Sequence, residues 1–130
     1  MKRAEQREWL VKLAYELAIK KEPDFDPEIL LTRHELPAQN AYLKGTLEQL
    51  RDHRREIDQA IEAALIGWSL DRLNPIDKAI LQIATCEIRF NDSIPVSVTI
   101  NESVEIAKRF SDAQSYRFIN GVLSQIARQA

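Results

Sequence analysis

Cysteine occurs once in these 130 residues, as Cys86, which excludes an internal disulfide and a paired-cysteine metal knuckle and fits a reducing compartment. Glycine occurs three times, and Gly45, Gly67 and Gly121 stand alone, so no clustered loop can cradle a phosphate. Three glycines and five prolines also exclude collagen-like and low-complexity readings. The two histidines, His34 and His53, are far apart and lack the spacing of a zinc-binding helix. No apolar run approaches the roughly 18 residues that read as a membrane span. The opening Met1-Lys2-Arg3-Ala4-Glu5-Gln6-Arg7-Glu8 has no apolar stretch behind it, so it does not read as a secretory signal. The net charge of −2 excludes a generally basic nucleic-acid binder. Any nucleic-acid contact is then a local patch that needs a partner. The expectation is a soluble, cytoplasmic protein.

Hydrophobic residues make up 45% of the chain and charged residues 29%, enough for a real core in one domain. The apolar spacing is helical nearly throughout. Leu10, Leu13, Ala14, Leu17 and Ala18 form a stripe between Arg3 and Lys21, which Pro23 and Pro27 stop. Pro27 opens a helix carrying Ile29, Leu30 and Leu31, and Pro37 closes it. Residues 38–66 carry Leu43, Leu47, Leu50, Ile57, Ile61, Ala64 and Leu65, interrupted by the polar run 51–56, where a break into two helices is as plausible as one long helix. Gly67 ends this region and leaves Trp68 and Leu70 to pack in a short linker.

Asn74-Pro75-Ile76-Asp77 reads as a helix start: Asn74 caps, Pro75 needs no N–H partner, and Asp77 suits the positive helix end. Ile76, Ala79, Ile80, Ile83, Ala84 and Ile88 then share a face. A further helix after Pro95 carries Ile100, Val104, Ala107 and Phe110. The alternation in 94–100 could suit a strand, but a lone strand has no partner, so it reads as helix entry. Ser111-Asp112-Ala113-Gln114 matches a capping box ahead of a last helix with Tyr116, Ile119, Val122, Leu123 and Ile126. The expectation is an all-α chain of six or seven helices. Cys86 reads as a small buried hydrophobe, His53 as solvated, and the carboxylate pairs as ordinary surface acids. These residues point to a binding protein, with no catalytic group, metal or cofactor.

The second half carries a specific resemblance. Trp68 to Ile88, Ile94-Pro95 with Val98 to Phe110, and Ser115 to Leu123 resemble, in order and spacing, three blocks of the NusB family of bacterial transcription antitermination factors. Arg7-Glu8, Ala14-Tyr15, Gly45 and Ile57 extend the likeness more loosely into the first half. The resemblance implies one domain of two packed helical bundles, about 1–66 and 67–130, and no catalysis. It implies binding to the boxA element of ribosomal-RNA leaders together with NusE, a small-subunit ribosomal protein. Through that pair it implies links to NusA, NusG and RNA polymerase that suppress premature termination.

Unpaired RNA is gripped by phosphate contacts and base stacking. On that reading the RNA-binding candidates are Lys2, Arg3 and Arg7 on the first helix, and Lys108, Arg109, Tyr116, Arg117 and Phe118 around the start of the last. Arg3 and Arg7 are four apart, hence on one face. Plainer roles compete: Phe118 and Tyr116 as core, Lys108 and Arg109 as helix-end charges, Arg7 as a partner of Glu8 or a solvated cation. The resemblance places the NusE-like partner on the side of Tyr15, Asp71 and Asp77, where Asp77 also serves as the helix-start acid. Ala4 and Glu5 stand where the family carries basic residues, which thins the phosphate contacts. Two other readings stay open. One is a helical scaffold that binds protein and has lost most boxA affinity. The other is an accessory domain for ribosomal-RNA modification, disfavoured because no Gly-rich methyl-donor loop is present.

Overall fold

The computed structural model describes residues 1–129, and the helix boundaries follow the local capping chemistry. The first helix, α1 (Arg3–Lys20), ends where Lys21 adopts a left-handed backbone with φ of 55°. In α2 (Pro27–Arg33), the Asp26 carboxylate accepts from the amides of Glu28 and Ile29. Helix α3 (Ala41–Asp52) starts at Asn40, whose side chain accepts from the Leu43 amide. His53 separates it from α4 (Arg54–Ala64), so the polar run is a break between two helices. The His53 ring stacks on Phe90 with centroids 4.6 Å apart, which ties that break to the end of α5.

A 3₁₀ turn at Leu70–Arg72 leads into α5 (Pro75–Phe90), capped by Asn74 through the Ile76 amide as its sequence indicates. Then come α6 (Val96–Phe110), which absorbs the β-branched run at 96–100, and α7 (Ser115–Arg128). Seven α-helices and no strand are present among the described residues.

Every residue of α5 from Ala79 to Glu87 is buried, the pattern of a helix enclosed on all sides. It packs against α1, α3, α4, α6 and α7. One apolar cluster runs from Leu10 on α1 to Ile126 on α7, crossing both halves of the chain. Cys86 lies within it, and burial pushes its thiol up to about 12.

Two linker expectations are corrected. Leu70 packs into the core, but Trp68, just after the bend at Ile66 and Gly67 (φ 77°), is 57% exposed. The capping box does not form. Helix α7 begins at Ser115 after Gln114, and the Ser111 hydroxyl donates to Asp77 instead.

Candidate nucleic-acid and partner interface

The helix order sets two ends of α5 apart. At its start, Asp77 is buried, and its oxygens accept from the hydroxyls of Ser111 (2.6 Å) and Ser115 (3.0 Å). These bonds fix the α6–α7 corner, because Ser111 follows α6 and Ser115 opens α7. At the corner two cations approach the Tyr116 ring. The Lys108 Nζ sits 5.1 Å and the Arg117 guanidinium carbon 5.6 Å from its ring centroid. Arg117 Nε also donates to the Tyr116 hydroxyl at 3.0 Å. Both cations are exposed, and Phe118 beside them is half-buried. Lys108 has only a loose 3.5 Å contact with Glu105, an exposed pair too weak to withdraw its charge from a ligand.

At the other end of α5, Glu87 is 1% exposed and accepts four hydrogen bonds. Arg7 donates two, from Nε at 2.6 Å and Nη2 at 2.8 Å. The Tyr42 and Thr99 hydroxyls donate the others, the latter at 3.0 Å. This joins α1, α3, α5 and α6 through one carboxylate. Burial is the largest single influence and works against the Arg7 charge, but the bond to Glu87 together with the charges of Tyr42, Glu87 and Glu102 holds its pKa above the usual value. Burial, with the negative charge of Glu87, raises that of the Tyr42 phenol. Arg3 lies outside this network with its guanidinium carbon 4.1 Å from the Tyr42 ring centroid.

The sequence-derived candidates therefore separate. Lys108, Tyr116 and Arg117 come together, with Phe118 adjacent. Lys2 and Arg3 are exposed at the far end. Asp77 and Glu87 are ten residues apart on α5, about 15 Å along its axis. Arg7 is a correction. At 2% exposed and bonded to Glu87, it belongs to the interior and offers no charge to a ligand in this structure. Arg109 turns away from the corner to Glu8, at 2.8 Å. Asp77 is 6% exposed and each of its oxygens accepts from a serine hydroxyl, so in this structure it positions the corner.

Tyr15, 38% exposed, lines an apolar cleft of about 180 Å³ with Val11, Ile76, Ile106 and Phe110, rimmed by Glu8 and Lys12. Asp71 is exposed on the 3₁₀ turn, outside that lining. Sequence reasoning missed Glu87 and Tyr42. The available signal was register: Arg7 continues the Leu10, Ala14, Leu17 stripe at helical spacing, and Glu87 interrupts a buried apolar helix. Among the described residues no group of three or more His, Cys, Asp or Glu is placed to hold a metal ion, and no helix is long and apolar enough to cross a membrane.

An enclosed central helix, an outward cationic corner with an aromatic ring, and a separate apolar cleft define a helical protein that works through its surfaces. Comparison with known proteins gives the family. The model of the NusB family matches residues 4–128. The transcription antitermination protein NusB of Bacillus mycoides (strain KBAB4) is 40% identical over 126 residues, covering 97% of each chain. Among solved structures, T. maritima NusB superposes with a TM-score of 0.87 at 30% identity, over 99% of this chain and 92% of that one. The NusB chain type is also seen in a crystal structure of antitermination factors NusB and NusE in complex with dsRNA. That match has a TM-score of 0.81 at 25% identity and covers 100% of both chains. The chain belongs to the NusB family, a family of antitermination factors and not of enzymes.

Proposed function

We propose that the protein is an RNA-binding transcription antitermination factor that grips the boxA element of ribosomal-RNA leader transcripts together with NusE. The observation that carries this reading is the Lys108–Tyr116–Arg117 corner. Two exposed cations flank one aromatic ring, an arrangement suited to a phosphate backbone and a stacked base. The solved complex of NusB, NusE and dsRNA, similar to this chain over its whole length, supports both ligands. The Tyr15–Phe110 cleft is the surface for NusE: an apolar floor with one acidic and one basic residue at its rim suits a mixed protein surface. Through NusE the complex joins NusA, NusG and RNA polymerase in the cytoplasm and suppresses premature termination.

With Arg7 withdrawn and Glu5 exposed beside Arg3, α1 contributes few cations, so binding by the protein alone is weak and NusE strengthens it. The same observation favours a second reading, a scaffold for protein partners with little affinity for boxA. Fluorescence anisotropy of labelled single-stranded boxA RNA, with and without NusE at two salt concentrations, separates them. The antitermination reading predicts binding that NusE tightens and salt weakens. No RNA signal in any arm leaves the scaffold.

A further inference from the structure

Beside the cationic corner the surface carries an aromatic feature that Lys108, Tyr116 and Arg117 do not use. Trp68 stands out from the loop between α4 and the 3₁₀ turn, next to Ile66, which is 88% exposed. Two open grooves meet there. One, of about 370 Å³, runs along α7 past Arg117, Gly121 and Gln125. The other, of about 270 Å³, runs towards Arg72, Asn74 and Gln114. Trp68 and Phe118 alone line both.

We propose that Trp68 and Phe118 form a base-stacking slot that takes unpaired nucleotides of the RNA beyond the Lys108–Tyr116–Arg117 corner. The inference rests on the RNA-binding reading above and extends its site. Three observations select an RNA base as occupant. The slot is continuous with the corner, because Arg117 both flanks the Tyr116 ring and lines the first groove. Each groove has an arginine at its edge, Arg117 in one and Arg72 in the other, so a strand laid across the rings meets a cation on either side. Asp112 is the one exposed carboxylate in the second groove, since Asp77 is held by Ser111 and Ser115. Aromatic faces flanked by cations bind single strands with little regard to base identity.

Gly121 points the same way. It sits in the middle of α7, where glycine costs helix stability relative to alanine. Packing does not require it, because a Cβ there would meet nothing within 4 Å. A side chain at this position would instead stand in the groove beside Phe118. The small residue keeps that floor open.

The two tryptophans make the slot readable by fluorescence. In a Trp9→Phe background Trp68 is the sole tryptophan. Emission is followed while single-stranded boxA RNA is added to the full chain with NusE, and affinity is measured in parallel by anisotropy of labelled RNA. RNA should quench Trp68. Trp68→Ala should weaken binding roughly 5- to 150-fold, the range for loss of one stacked base, while Trp68→Phe restores most of the affinity. Gly121→Leu should weaken binding without lowering the thermal midpoint, which guards against a folding artefact. If Trp68 emission and both affinities stay unchanged while Arg117→Glu still weakens RNA binding, the slot is wrong and the RNA reading stands. If NusE alone shifts the Trp68 emission and RNA does not, the surface docks protein and the slot is overturned. If no RNA binds with NusE present, the reading falls and takes the slot with it.

Discussion

Arg7 and Glu87 form a doubly hydrogen-bonded ion pair out of water, and such a pair is worth most when one half is removed. Taking away one partner leaves an uncompensated buried charge, which costs about 3–5 kcal/mol. Arg7→Ala should therefore lower stability by about that amount, read as a fall in the urea midpoint. A change under 1 kcal/mol would show that water reaches the pair. Cys86 makes a second residue-scale prediction. With its thiol held near 12 by burial, labelling by a disulfide reagent at neutral pH should proceed only as fast as the protein unfolds. Rapid labelling of the native protein would contradict its place in the core. This is also the scale at which the sequence was least legible. Helical spacing put Arg3 and Arg7 on one side of α1, but it does not say which side the fold covers. The same gap hid Asp77, whose position in the first turn was clear from Asn74-Pro75 while its two serine partners lie more than thirty residues away.

At the scale of elements, capping and periodicity placed most of the helices. Asn74 and Pro27 open helices where their local chemistry puts them, whereas the polar run 51–56 left a break and one long helix equally open until the fold set the break at His53, and α2 ends at Arg33, ahead of Pro37. Ser111 is a further exception. As a cap its oxygen would accept from a backbone N–H; here the hydroxyl instead donates to the carboxylate brought by α5, a charge-assisted bond. The α6–α7 corner is thereby set from α5, and Asp77 acts on the site through position. Asp77→Ala should cost about 1–3 kcal/mol of stability, since two hydroxyls lose their acceptor. It should also weaken RNA binding without changing its salt dependence, because no phosphate contact is lost. Arg117→Glu should do the opposite. Stability should hold, and the slope of log affinity against log salt should become shallower by about 0.7, the value for one cation on a single strand. Equal slopes for both variants would remove Arg117 from the phosphate contacts.

Across the whole molecule, α5 packs against α1, α3, α4, α6 and α7, and the Glu87 network binds four helices at one end while Asp77 binds the corner at the other. One buried cluster crosses from α1 to α7. Unfolding should therefore be a single cooperative transition, with near- and far-ultraviolet circular dichroism coinciding. Two separated transitions would mean that residues 1–66 and 67–130 fold independently. The all-α class and the core were legible because helical apolar spacing recurs in every segment. The surface was legible only as a set of residue types, since charge and aromaticity acquire meaning when the fold brings α6 and α7 to one corner and sends α1 to the far end. The central claim is that this corner, and not α1, grips RNA. The most direct test compares the double reversals Lys108→Glu/Arg117→Glu and Lys2→Glu/Arg3→Glu by boxA titration in the presence of NusE. The corner pair should lose most of the affinity and the α1 pair far less. Full affinity in the corner variant, with loss confined to the α1 variant, would contradict it.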